Sequence, residues 1–211
     1  MPESRSVFAR QCARIPLAAM LVLAAVAGCG NARHADTTPL DQGGVNFMGV
    51  EQLRQLKISD AEVQQLVAAR AAGLDDAGSI ELVRIARAHQ QPFAAGDTVA
   101  GLLGAGFKQS SVLTLARLGQ LESWAGEAQA LRLSRLSDDV ILSVATRRAA
   151  GQPVLSTAKI ADLQNAGLSQ NELIAEINRG ATDAQADDII MRRNYYAGGH
   201  TFVHQRGMRR R

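Results

Sequence analysis

The 211-residue sequence predicts an all-α fold of tandem short helix-turn-helix modules forming a compact helical array. A cleaved signal segment and a flexible N-terminal tether precede the array, and a basic C-terminal tail follows it. Three observations predict this. From Val50 onward apolar residues recur three and four apart, as on one face of a helix, and no alternating run of β-branched residues marks a strand. Sliding the sequence on itself by 61 places aligns residues 79–119 with 140–180 without a gap, and 12 of the 41 positions are identical. Glycine, serine and glutamate then fall where helices stop and start.

The chain begins with Arg5, Arg10 and Arg14, continues with the apolar run IPLAAMLVLAAVAG and reaches Cys29. That is the layout of a secretory signal, and the run is too short to span a bilayer as a helix. Its end, Val26-Ala27-Gly28-Cys29, resembles the bacterial lipobox. The resemblance implies that residues 1–28 are a lipoprotein signal peptide, that the Cys29 thiol carries diacylglycerol, and that the new amino terminus carries a further acyl chain such as palmitate. Several chains together anchor stably where one does not. Gly30 stands where an aspartate signals retention at the inner membrane, so the expected location is the outer membrane, facing the periplasm. Cys12 leaves with the signal and Cys29 is consumed, which excludes disulfides and thiol catalysis.

Residues 29–46 are polar and without period, and read as the lipidated flexible tether. Such a coil holds a domain about 20–25 Å from the membrane. Residues 47–194 read as the all-α repeat domain: a partial copy at 50–73, one unit at 79–119, a second at 140–180, and a final helix at 183–194. In the units Val99 and Leu102, like Ile160 and Leu163, share a helix face. Gly106 or Gly167 supplies the left-handed residue that ends the helix, and Phe107 or Leu168 falls into the angle. In the partial copy Val50, Leu53, Ile58 and Val63 take the places of Ile160, Leu163, Leu168 and Leu173.

Ser59 with Glu62 and Ser169 with Glu172 spell capping boxes; the middle copy, KQSS, lacks the glutamate and is expected to be less well capped. Helices over 80–91 and 141–152 are expected to stop at Gln91-Pro92 and Gln152-Pro153. Asp75-Asp76, Asp138-Asp139 and Asp187-Asp188 suit helix starts, and Thr182 with Gln185 caps the last helix.

These modules resemble the "LxxAGφS" repeats (φ apolar) of an uncharacterised family of bacterial lipoproteins, which implies fold and location and no activity. The AGF turn at 105–107 and AGL at 166–168 also resemble the MGF loop of ubiquitin-associated three-helix domains. A DNA-reading helix-turn-helix fits poorly. Ala100 and Ala161 stand six residues before the turn glycine, where that motif has four, and neither second helix opens with base-reading side chains. No nucleic-acid partner is expected.

Residues 29–191 hold 14 basic and 19 acidic residues, whereas 192–211 hold six arginines and no acid. An acidic body thus precedes a basic end. Residues 195–211 read as a disordered basic aromatic tail. Arg192, Arg193, Tyr195, Tyr196, Arg206, Arg209, Arg210 and Arg211, with Phe202 among them, are the candidates for contact with an envelope protein or an anionic envelope polymer.

Nothing in the sequence supports catalysis. No GxSxG elbow or HExxH occurs, and carboxylates fall at helix caps. Gly101, Gly104 and Gly106 follow no strand and precede no Gly-Lys-Ser/Thr, so they are not a phosphate loop. His200 and His204 have i, i+4 spacing, yet Gly198-Gly199 break any helix before them and no cysteine or acid completes a ligand set, so they are weak metal candidates. His89 reads as a surface residue. No metal or cofactor is expected. Aromatic residues make up 4% of the chain, too few to line a typical small-molecule pocket with rings. The expected function is that of a non-enzymatic lipoprotein acting as a helical interaction or scaffold module; the alternative is an envelope hydrolase, or its activator, with a groove between the repeat units.

Overall fold

The computed structural model describes residues 35–197, which form eleven α-helices and, among the described residues, no strand. They are α1 (Thr38–Gln42), α2 (Phe47–Gln55), α3 (Asp60–Ala71), α4 (Asp76–Ala88), α5 (Gly96–Gly104), α6 (Gln109–Arg117), α7 (Ala125–Leu133), α8 (Asp138–Ala149), α9 (Thr157–Asn165), α10 (Gln170–Arg179) and α11 (Asp183–Ala197). The segment 1–28, Cys29, His200, His204, Phe202 and Arg206, Arg209, Arg210 and Arg211 lie outside the described residues.

Short helices like these gain little from propensity and depend on packing and on their ends. The ends are well specified. The Ser59–Glu62 and Ser169–Glu172 boxes both form, each serine accepting from the glutamate N–H while the carboxylate accepts from the serine N–H. Lys108, at the head of α6, makes no side-chain cap, as expected of the middle copy. Thr182 and Gln185 bond reciprocally ahead of α11.

Each helix from α1 to α10 is followed by a residue at positive φ. In seven cases this is glycine, Gly106 and Gly167 among them; in three it is Lys57, Gln90 or Arg135. The following N–H then closes a six-residue turn onto the helix, for example Phe107 N–H to the Leu102 carbonyl at 3.1 Å and Leu168 N–H to that of Leu163 at 3.1 Å.

Packing follows two rows. Each odd-numbered helix contacts the next odd one and each even-numbered helix the next even one, while α1 pairs with α2, α3 with α4, α5 with α6, α7 with α8 and α9 with α10. The apolar residue after each turn inside these pairs is buried: Val45, Leu74, Phe107, Leu136 and Leu168. These join Leu53, Leu66, Leu102, Leu131 and Leu163 in one core, each fully buried leucine contributing about 2 kcal/mol.

Three boundaries differ from the sequence-based expectations. Residues 35–46 are not all tether: Thr38 opens α1 with Pro39 in its first turn, and Thr37, Leu40 and Val45 are buried. The long helices end at Ala88 and Ala149, a few residues before the prolines, because Gln90 and Gly151 already turn the chain. The last helix runs to Ala197, so Tyr195 and Tyr196 are helical. The stretch 50–73 spans α2 and α3, which pack on other helices and not on each other.

Candidate interaction surface

The even row is stitched along its helix starts. The N–H of each N-cap residue donates to the side chain of the first residue of the next even helix: Asn46 to Asp76 Oδ2 at 3.0 Å, Asp75 to Gln109 Oε1 at 2.9 Å, Lys108 to Asp138 Oδ2 at 3.0 Å, and Ser137 to Gln170 Oε1 at 3.0 Å. Otherwise these N–H groups would be orphaned at a packed interface. Gly78 makes room for one of the rungs, since a Cβ there would sit 2.8 Å from the Gln109 amide.

A second recurring contact ties the turns. Arg70, Arg132 and Arg193 donate to the carbonyls of Gly44, Gly106 and Gly167 at 3.2, 2.8 and 2.8 Å, and each also pairs with an acid: Asp76, Asp138 and Glu172 respectively. Arg132 lies over the Phe107 ring as well, 5.8 Å from its centroid. Cations at these carbonyl-rich helix ends complement the local dipole.

Glu62 is the most strongly held acid. It is 2% exposed, receives Arg87 Nη1 at 2.7 Å and Nη2 at 2.9 Å, and accepts the Phe93 N–H at 2.8 Å. Burial pushes its pKa up, but Arg87 and the Phe93 and Ser59 N–H groups outweigh burial and bring the carboxyl to about 2, from an ordinary 4.5. Its chemistry is structural: every acceptor direction is spent on the chain itself.

Between α2, α4 and α6 these rungs leave an open groove of about 560 Å³, with Met48, Gln52, Glu81, Arg84, Leu113 and Arg117 among its lining residues. Met48 is 64% exposed there, and the neighbouring Phe47 is 74% exposed. Arg117 bridges to Glu81 at 2.9 Å, so the groove carries a methionine beside a charge pair and the exposed Arg84. Methionine packs adaptably against varied partners. A smaller cavity of about 300 Å³ has His89, Pro92, Phe93, Leu121 and Glu122 on its walls.

The sequence-predicted contact residues divide. Arg192, Tyr195 and Tyr196 are exposed on α11, and the two tyrosine rings meet edge to face, 5.7 Å apart at 83°. Arg193 is instead occupied at the Gly167 turn and by Glu172. His89 is exposed, at the C-cap of α4. Met48, Arg84 and Leu113 escaped sequence reasoning; the one signal was Met48, an outward apolar residue at the start of a short amphipathic helix. Among the described residues no group of three His, Cys, Asp or Glu side chains is arranged to hold a metal, and no helix is long and apolar enough to cross a membrane. No protein-family model, no curated protein and no solved structure matches the chain.

Proposed function

We propose that this chain is a non-enzymatic, lipid-anchored module of the bacterial envelope, held by Cys29 at the outer membrane, whose tandem helical units offer the α2–α4–α6 groove to another envelope protein. The groove carries the reading: an exposed methionine and a leucine beside paired and unpaired charges make a small docking surface. Support for the tandem units comes from the 61-place recurrence in the sequence, with which Gln109 and Gln170 occupy corresponding rungs. Support for the location comes from the lipobox-like segment alone. Arg192, Tyr195 and Tyr196, exposed on α11, offer a second contact suited to an anionic envelope polymer, and the sequence after them adds Arg206, Arg209, Arg210 and Arg211.

Photo-crosslinking in intact cells tests the groove. A crosslinking residue at Met48 or Leu113 is expected to give one discrete adduct, and one at the exposed Asp97 on α5 to give none. Equal, weak labelling from all three positions contradicts the reading.

A further inference from the structure

Glu62 and Arg87 close on one another near the start of α5, whereas near the start of α9 the corresponding arginine, Arg148, lines an open cavity. The correspondence is positional. Arg148 is two residues before the C-cap of α8, as Arg87 is in α4. Val154 follows Pro153 as Phe93 follows Pro92. Counting eight residues back from the turn-clamping arginine gives Glu62 from Arg70 and Trp124 from Arg132, and both are 2% exposed. Where one half of the chain buries a carboxylate, the other buries the chain's single tryptophan.

Two groups consequently lose their partner. Arg87 and the Phe93 N–H both bond to Glu62. The Arg148 guanidinium and the Val154 N–H make no hydrogen bond or ion pair among the described residues. The exposed Arg148 and the half-buried Val154 line one open cavity of about 300 Å³, together with Trp124, Glu127, Ser156 and Asp183. The cavity exists because α9 cannot approach as α5 does. At the head of α5, Gly96 lies so close to α3 that a Cβ would stand 2.1 Å from the Gln65 carbonyl oxygen, and its N–H donates to Gln65 Oε1 at 2.7 Å. The corresponding residue of α9 is Thr157, whose branched side chain forbids that approach.

We propose that this cavity, beside Trp124, binds a small ligand through its α-carboxylate, which pairs with the Arg148 guanidinium as the Glu62 carboxylate pairs with Arg87 in the other half, and accepts the Val154 N–H. Charge-assisted bonds of this kind favour a carboxylate over a neutral group. Glu127 and Asp183, the latter also accepting the Ser156 N–H at 3.0 Å, line the same cavity and suit an ammonium, so the ligand class is an amino acid zwitterion. The same α-carboxylate occurs at the end of a short peptide. The volume suits a ligand of that size. The cavity shares no lining residue with the α2–α4–α6 groove, so the two sites stand or fall separately.

Because Trp124 is the only tryptophan, its fluorescence in the purified full chain, excited at wavelengths that tyrosine does not absorb, reports on the surroundings of this cavity. Alanine, the dipeptide alanyl-alanine, acetate and methylamine would each be titrated to about 10 mM. A saturable change with alanine, weakened at least about tenfold by Arg148→Gln in a variant of unchanged circular dichroism, is the expected result. Dipeptide binding as tight as that of alanine would assign the site to peptide ends; dipeptide binding much weaker would assign it to free amino acids. No saturable change with either, a response to methylamine alone, or a response untouched by Arg148→Gln overturns the proposal. Crosslinking from Met48 is unaffected in every case.

Discussion

Arg87 sets both terminal nitrogens of its guanidinium on the Glu62 carboxylate, at 2.7 and 2.9 Å, and so ties α4 to α3. Removing one partner costs more than the pair contributes, because the other is left charged in the interior. Arg87→Ala is therefore expected to destabilise by about 3 kcal/mol, and Glu62→Gln, which keeps an acceptor for the Phe93 N–H, by less. Urea unfolding at neutral pH measures both.

The same pair gives an acid dependence. The Glu62 pKa is about 2 in the folded chain against an ordinary 4.5, so its contribution is complete above about pH 4.5 and is lost as the pH falls toward 2. A shift of this size is worth about 3 kcal/mol at full strength. Screening through Arg87, whose side chain is 33% exposed, reduces that to roughly 2. Unfolding midpoints followed from pH 6 to pH 2.5 are expected to fall more steeply for the natural chain than for Glu62→Gln.

Lys57, Gln90 and Arg135 hold the left-handed conformation that glycine takes after the other helices, at φ of 53°, 58° and 63°. A side chain there costs about 1 kcal/mol relative to glycine, less some entropy that glycine gains in the unfolded chain. Each of Lys57→Gly, Gln90→Gly and Arg135→Gly is expected to raise the unfolding midpoint slightly. Gly167→Ala is expected to lower it. Thermal unfolding of the four single variants checks the sign.

The glutamine rungs are not equivalent. Gln109 accepts the Asp75 N–H at 2.9 Å and also donates to the Asp75 carboxylate at 2.7 Å, whereas Gln170 accepts the Ser137 N–H and faces no such acid. Gln109→Glu sets two carboxylates against each other and is expected to cost at least about 1 kcal/mol. Gln170→Glu keeps its acceptor and is expected to be near neutral. Denaturant midpoints of the two variants separate these outcomes.

Much of this architecture was legible because helix ends are written in few residues. Ser59, Ser169, Gly106 and Gly167 state their roles in residue type and spacing alone, and Phe107 and Leu168 follow from them. The same logic failed at Lys57, Gln90 and Arg135, where packing holds a non-glycine residue in the glycine conformation and the sequence carries no mark of a turn. That is why the sequence showed a 61-place period where the helices pair about twice as often. Neighbouring pairs differ in turn residue and rung, aspartate at Asp76 and Asp138 against glutamine at Gln109 and Gln170. α1 was hidden in a stretch of tether-like composition, its apolar signal only Leu40 and Val45.

The surfaces were less legible than the fold. Arg193 has the composition of a contact residue, yet its partners are a turn carbonyl and Glu172, which only the packing of α11 on α9 brings near. Trp124 drew no notice and Arg148 figured only as the 61-place counterpart of Arg87, because the clue to a site there is a carboxylate missing from one of two corresponding places, and that comparison needs the three-dimensional register of α3 and α7.

The proposed role rests on where the module is held, and the anchor is open to direct measurement. Intact and proteolytic mass spectrometry of the chain recovered from bacterial membranes is expected to find residues 1–28 removed and Cys29 at the amino terminus, carrying thioether-linked diacylglycerol and an amide-linked acyl chain. A chain whose Cys29 is present and unmodified contradicts the account.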